Sequence, residues 1–318
     1  MLTPTRSLLP FRRAAVCREG VFPCLLSGNL SNRTEGKVEV PCGMVKIDLH
    51  THSTASDGTL MPEELVRRAK SHGVAVLSLT DHDTTLGLAA FLRACKKYNV
   101  RGVTGVELSA EAPFTLHILG YRFDPSCSFL EGALQDLRAQ RDVRNRRICE
   151  VLQKLGMDVS LEEVEREAGG EVVARPHIAR VLIRKGYAQD MRSSFGRFLG
   201  RGAPAYVPRE KFSPESCIAM IQKCNGVAVL AHPGQTGLPE DQFERLLRDL
   251  TDLGLWGLEC VSPHHTAREM YDFMRLAAKY GLFVTAGSDF HGANRPGVSL
   301  GVTVEDALLP WARLGIVM

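Results

Sequence analysis

The sequence predicts an α/β protein built on a β/α barrel. From Val45 onward, short apolar strands alternate with helical stretches, the signature of βα units and a parallel sheet. Residues able to bind metal recur at the ends of those strands, where a barrel gathers them on one rim. The 318 residues, 44% hydrophobic and 24% charged, suffice for one large domain or one domain with an insert.

In the first strand, Val45 to His52, the apolar residues point one way and Asp48, His50 and His52 the other. A helix follows: Pro62 is tolerated in its first turn, Glu63 and Glu64 favour its positive end, and Gly73 stops it. Val74 to Leu79 reads as a buried strand running into Thr80-Asp81-His82-Asp83. Next come a helix over Leu86 to Tyr98, a strand over Val103 to Leu108 containing Glu107, and a strand over Thr115 to Gly120 containing His117. The scheme resumes with strands over Gly226 to His232, Gly257 to Val261 and Leu282 to Ser288, the last leading to Asp289 and His291.

Residues 121–206 break this rhythm and read as helices only, an inserted helical subdomain between barrel segments 44–120 and 207–318. Ser160-Leu161-Glu162-Glu163 is a capping-box pattern, and Pro176 to Lys185 reads as a helix closed by Gly186. Leu134, Leu137, Ile148, Val151 and Leu155 form an apolar stripe that Arg141 and Arg144 interrupt. Two inward-facing arginines require anionic partners, either carboxylates of the protein or a substrate phosphate.

Composition excludes several classes. A net charge of +3 and a pI near 8.4 are too mild for a general nucleic-acid binder. No apolar run approaches the roughly 20 residues of a membrane helix. The nine cysteines are scattered and never in CxxC spacing, which predicts reduced thiols in a cytoplasm. Residues 1–43, with Arg6, Arg12, Arg13 and Arg18 and no acidic residue before Glu19, read either as a targeting segment or as a dispensable leader, with Met44 opening the folded protein. Nothing in the sequence points to a protein partner.

The chemistry rests on the rim. His82, Glu107, His117, His232 and the pair Asp289 and His291 lie at or near the ends of separate predicted strands, Asp57 lies in the first loop, and His50 and His52 share one strand face. Taken singly, strand histidines are usually polar residues on a wet face; nine such groups at one rim imply a metal site. An all-nitrogen and oxygen set suits Zn²⁺, Mn²⁺ or Fe²⁺, and nine ligands exceed what one ion uses. Closely spaced ions lower the pKa of bound water and neutralise phosphate charge, which points to hydrolysis of a phosphate ester.

His50-Thr51-His52, Asp57-Gly58, Thr80-Asp81-His82-Asp83, Gly105-Val106-Glu107, Ala231-His232-Pro233 and Gly287-Ser288-Asp289-Phe290-His291 together resemble the PHP (polymerase and histidinol phosphatase) superfamily, from Met44 to about Trp311. Ala174-Arg175-Pro176-His177-Ile178-Ala179 and Ala203-Pro204-Ala205-Tyr206-Val207-Pro208 look like its bacterial subgroup of nucleoside 3′,5′-bisphosphate phosphatases and 5′-to-3′ exoribonucleases. The resemblance implies a distorted seven-stranded barrel and three divalent ions, manganese foremost. One ion would take His50, His52, Glu107 and Asp289, a second Glu107, His117 and His232, and a third Asp57, His82 and His291.

Arg175 and His177 read as substrate contacts or as a helix start held by local hydrogen bonds. The first reading is preferred because a cationic helix start suits phosphate. With Asp289 and His291 they are the catalytic candidates, and with Arg141 and Arg144 the substrate-binding ones. Glu259 is read as supporting the ligands, and His72, His264 and His265 as surface residues. The expected substrate is a small nucleotide or the 5′ end of short RNA. Against histidinol-phosphate phosphatase stands the helical insert, against an amidohydrolase the Asp57 and Thr-Asp-His-Asp segments, and against a non-catalytic PHP module the presence of all nine ligands.

Overall fold

A computed structural model describes residues 43–169, 173–208 and 211–316, which fall in one compact unit, Val40–Met318. The leader expected over residues 1–43 lies, except for Gly43, outside the described residues.

Eight strands form one sheet: β1 (Met44–Asp48), β2 (Val76–Leu79), β3 (Arg101–Ser109), β4 (His117–Tyr121), β5 (Val227–Leu230), β6 (Gly257–Val261), β7 (Phe283–Ala286) and β8 (Val302–Glu305). Their order is β7-β6-β5-β4-β3-β2-β1-β8. The sheet nearly closes on itself: the Leu49 N–H donates to the Ala286 carbonyl at 3.1 Å, and Thr51 bridges Phe290 in parallel. Inside the barrel pack Ile47, Leu49, Val76, Leu119, Tyr121 and Val229. Each such side chain contributes about 1.5–3 kcal/mol by leaving water.

The sheet is not wholly parallel. β1 to β3 and β5 to β7 pair in parallel, but β4 runs antiparallel to both β3 and β5, and β8 is antiparallel to β1. The β3–β4 link, residues 110–116, has no helix; an antiparallel pair needs only a short connection, whereas a parallel one needs a crossover. β8 brings the count to eight, one more than the resemblance implies.

Helices α1 (Pro62–Ser71) and α2 (Leu88–Tyr98) cover one side of the sheet. α7 (Pro214–Lys223), α8 (Glu240–Asp252) and α9 (Ala267–Tyr280) accompany β5 to β7. Between β4 and β5 lie α3 (Ser128–Lys154), α4 (Leu161–Ala168), α5 (Arg175–Arg184) and α6 (Met191–Ser194), followed by a π-helical turn, Phe195–Leu199. The first turns of α3 join the barrel's outer core through Leu130 and Leu134. Its later turns enter a second cluster with Val164, Ile178, Leu182 and Leu199.

The Ser160 capping box forms as expected, with Ser160 Oγ accepting from the Glu163 N–H and Glu163 Oε2 from the Ser160 N–H, both at 3.2 Å. α3 does bury Arg141 and Arg144 on its apolar face, but Leu155 is exposed and Leu152 takes the inner position. Two further expectations fail. Cys127 and Cys224 form a disulfide across 97 residues, joining the start of α3 to the end of α7, although Cys95, Cys149, Cys217 and Cys260 are free thiols. Contact between distant cysteines cannot be read from spacing. His265 is buried, with Nδ1 against the Cys260 carbonyl at 3.0 Å and its ring edge-on to Phe273.

Candidate metal centre

The barrel rim is built by strands that end in strained backbone. Asp83, His232 and Asp289 have φ of 52°, 26° and 57°, conformations that cost a residue with a Cβ and persist where surrounding contacts over-determine them. At Asp83 the contacts are Ser109, whose N–H donates to Oδ1 at 2.9 Å, and Arg141, whose Nη2 donates to Oδ2 at 2.8 Å. At His232, the backbone N–H donates to Glu259 Oε2 at 2.7 Å.

Glu107, fully buried on β3, is the centre of the cluster. Its Oε1 lies 2.7 Å from His117 Nδ1 and 2.9 Å from His232 Nε2, and its Oε2 lies 2.9 Å from His82 Nδ1 and 3.2 Å from both His50 Nε2 and His52 Nε2. Asp289 Oδ1 is 3.6 Å from His50 Nε2, 3.4 Å from His52 Nε2 and 3.4 Å from His291 Nδ1. Asp57 Oδ1 approaches His291 Nε2 at 3.3 Å. All nine residues singled out in the sequence therefore meet at one rim.

Three sets of these residues have donor atoms close enough to share an ion: His50, His52, Glu107 and Asp289; His52, Asp57, His82 and His291; and His82, Glu107 and His117. The first matches the set implied by the resemblance. The second adds His52 to the expected triad. The third holds His82 in place of His232, which nonetheless touches both Glu107 and His117, the latter at 3.2 Å.

Fit to metal is tested by the buried atoms themselves. His50 Nε2, His52 Nε2 and His82 Nδ1 crowd within 2.9–3.2 Å of Glu107 Oε2, yet these four buried atoms make no well-formed hydrogen bond among the described residues. Polar atoms buried without well-formed hydrogen bonds cost about 1–3 kcal/mol each, and four that face one point suit a cation held between them. Nitrogen and oxygen donors in this arrangement suit borderline divalent ions.

Supporting carboxylates fix the ligands. Glu259 holds His50 Nδ1 at 3.1 Å, which leaves Nε2 to face the cluster, as supporting carboxylates do for metal-binding imidazoles. Asp81 accepts from Ser53 N–H, Ser53 Oγ and Ser56 Oγ at 2.7, 2.7 and 2.6 Å and so ties down the loop bearing Asp57. Gly287 is required behind His50: a Cβ there would lie 2.6 Å from Glu259 Oε1.

The charges are strongly coupled. Burial alone would raise the Glu107 carboxyl, yet His82, His50 and His117 hold it well below the usual range. Burial likewise opposes a charged His50, but Glu259, Glu107 and Asp289 push it well above the ordinary imidazole value. His117, where burial prevails, falls to about 4. An ion bound at His50 Nε2 would compete only with a proton on that nitrogen, because Nδ1 is held by Glu259.

Across the rim, a cavity of about 220 Å³ has Asp57, His82 and His117 on the barrel side and Arg141, Arg144, Arg175 and Phe195 on the helical side. Besides Asp83, the protein holds these arginines by carbonyls: Arg144 Nε donates to Val207 O at 2.9 Å, and Arg175 Nη1 to Leu199 O at 3.1 Å. Of the two readings of Arg141, the protein carboxylate is realised, on a side chain that still lines the cavity. His177 does not line it. Its Nδ1 accepts from the Ala174 N–H at 3.1 Å, and burial lowers it to about 4, so at neutral pH it is an uncharged helix-start residue rather than a cation.

Two residues that the sequence did not reveal also reach the ligands. Arg295 forms an ion pair with Asp289 Oδ2. Asn294 donates from Nδ2 to the Asp57 carbonyl at 2.6 Å and accepts from Arg180 Nη1 of α5 at 2.5 Å. Both sit in the loop after His291, where no periodicity or motif marks them.

A barrel rim carrying this ligand set defines a metal-dependent hydrolase, and comparison with known proteins narrows the class. The PHP domain pattern matches residues 48–197. A 3′,5′-nucleoside bisphosphate phosphatase of Chromobacterium violaceum is 36% identical over 264 residues, 82% of this chain and 93% of the relative. A 5′-3′ exoribonuclease of Haemophilus influenzae is 36% identical over 247 residues, 77% of this chain and 90% of the relative. A solved structure from Chromobacterium violaceum, described as an amidohydrolase with bound sulfate and no metal, superposes with a TM-score of 0.76 at 35% identity, covering 85% of this chain and 95% of that one. The chain belongs to the PHP domain family, and it is a hydrolase of phosphate esters.

Proposed function

We propose that this chain removes the 3′-phosphate of nucleoside 3′,5′-bisphosphates and acts by the same chemistry on the 5′-phosphorylated end of short RNA, in the cytoplasm. The observation that carries this reading is the two-walled cavity, with candidate metal ligands on one wall and Arg141, Arg144 and Arg175 on the other. The names of the phosphatase and exoribonuclease relatives agree with it.

In this reading His50, His52, Asp57, His82, Glu107, His117, His232, Asp289 and His291 hold three divalent ions, manganese foremost. Bound there, the ions activate water and neutralise phosphoryl charge. Arg141, Arg144 and Arg175 hold the second phosphate by charge-assisted hydrogen bonds. His177 keeps the start of α5, and hence Arg175, in place. Asp289 and His291 complete the catalytic set beside the reacting phosphate. Residues 44–120 and 207–318 serve as the barrel, 121–206 as an inserted subdomain that supplies the arginine wall, and 1–43 as a leader.

Histidinol phosphate, with one phosphate, leaves the arginine wall without a ligand. A phosphate-release screen of metal-reconstituted protein tests the reading. A nucleoside 3′,5′-bisphosphate should be hydrolysed at least tenfold more efficiently than the matching 3′-monophosphate or histidinol phosphate. Equal kcat/KM for all three would overturn it.

A further inference from the structure

The cavity between the two walls is lined mostly by polar and charged side chains, with Ala174, Pro176 and Phe195 as its apolar residues. Phe195 is the aromatic side chain lining it, half-buried, with part of its ring against the apolar cluster of the helical segment and part toward the cavity. It opens the π-helical turn Phe195–Leu199. Such turns place an extra residue in a helix and frequently mark functional positions. The turn is tied to the arginine wall at both ends: the Arg175 guanidinium lies 5.6 Å from the Phe195 ring centre, and its Nη1 donates to the carbonyl of Leu199. Tyr206 lies against the same guanidinium at 5.8 Å.

We propose that Phe195 is the platform on which the nucleobase of the substrate stacks, so that this protein reads a nucleoside and not only a pair of phosphates. The inference rests on the phosphoesterase reading above for where the two phosphates lie. A substrate that spans the metal-ligand wall and the arginine wall leaves its base as the one flat apolar part. Phe195 carries the one phenyl ring among the cavity's residues, directly beside an arginine assigned to phosphate. Base-on-aromatic stacking tolerates any base, because each has a π face. The consequence is a preference for nucleotides over sugar phosphates of equal charge, with little preference among bases.

A simpler role for the ring exists: Phe195 could do no more than brace Arg175. The two roles differ in what they do to a substrate without a base. The test compares kcat/KM for adenosine 3′,5′-bisphosphate and for ribose 3,5-bisphosphate in wild type, Phe195→Ala, Phe195→Leu and Phe195→Trp proteins. Stacking predicts a wild-type preference for the base-bearing substrate of about tenfold to a hundredfold, from the usual strength of such contacts. It predicts that the preference collapses toward one in Phe195→Leu and Phe195→Ala and survives in Phe195→Trp. Phe195→Leu keeps apolar bulk against the helical core, so collapse there is not a folding defect.

Binding of adenosine 5′-monophosphate against ribose 5-phosphate, followed by calorimetry in the same proteins, reads the same contact without turnover. It separates failure of this inference from failure of the phosphatase reading, which would show as absent hydrolysis with the binding preference intact. A wild-type preference near one in the binding measurement, or losses of equal size for both ligands in Phe195→Leu, would overturn the platform.

Discussion

The barrel rim and the wall facing it solve opposite problems. On the rim, histidines and carboxylates are crowded until Glu107 alone touches five imidazoles, and four buried donor and acceptor atoms make no well-formed hydrogen bond among the described residues. On the facing wall, Arg141, Arg144 and Arg175 already hold protein oxygens, at Asp83, Val207 and Leu199. The rim is therefore suited to hold an ion, whereas the wall is set in advance: its guanidiniums are held in place and still line the cavity. On the proposed function, the site divides its labour, with reactivity at the crowded rim and selectivity where donors are fixed before the substrate arrives.

The largest effect should come from the rim. Chelation, or Asp289→Ala or His232→Ala, should lower phosphate release by about a thousandfold or more, since the ions supply both nucleophile and charge neutralisation. Manganese should restore the chelated wild type but not the variants. Phosphate release after dialysis and metal addition checks this, and full turnover in the presence of chelator would mean that the rim does not act through metal.

The facing wall should give a smaller, substrate-dependent loss. Arg175→Ala removes a charge-assisted contact worth about 1.5–3 kcal/mol, so the preference for a bisphosphate over a 3′-monophosphate should shrink by roughly ten- to a hundredfold. Metal content should stay intact. His177→Ala should act in the same direction through the helix start, because its buried neutral imidazole satisfies the Ala174 N–H. If Arg175→Ala slows both substrates alike, the wall does not discriminate between them.

At the end of the barrel away from the rim, the Cys127–Cys224 bond anchors the start of α3, the helix bearing Arg141 and Arg144, to the barrel helix α7. Paired Cys127→Ser and Cys224→Ser substitution should cost about 2–4 kcal/mol of stability, chiefly by freeing the unfolded chain. Denaturant titration of oxidised wild type against the double variant measures it, and coincident midpoints would show that the bond is not present in the native protein. The smallest effect is expected at the amino terminus: a chain starting at Met44 should keep the activity and melting temperature of the full chain, and loss of either would show that the leader contributes to the folded enzyme.

The rim was legible in the sequence for a physical reason. Histidines and carboxylates at the ends of apolar strands are costly unless something gathers them, and a barrel gathers strand ends. His50, Glu107 and Asp289 could thus be assigned to one place although they lie far apart in the chain. Orientation was less legible: β4 has the apolar pattern of any buried strand, and only the helix-free link before it hints that it runs backward. The wall was half legible. Arg141 and Arg144 stood out against an apolar stripe, but the partner of Arg141, Asp83, lies 58 residues away. Arg295, Asn294 and Phe195 had no local signal, because a single loop arginine or a partly buried phenylalanine looks like many others. The disulfide was missed for the same reason, since pairing is a property of the fold and not of spacing.

Glu107 joins two of the three ligand sets, so the account turns on it. The most direct measurement is the metal content of purified Glu107→Gln protein beside wild type, by elemental analysis after manganese loading and gel filtration. Wild type should retain about three ions per chain, and Glu107→Gln, still folded by circular dichroism, should lose at least two of them together with phosphate release. A Glu107→Gln protein with the full metal content and undiminished turnover would contradict it.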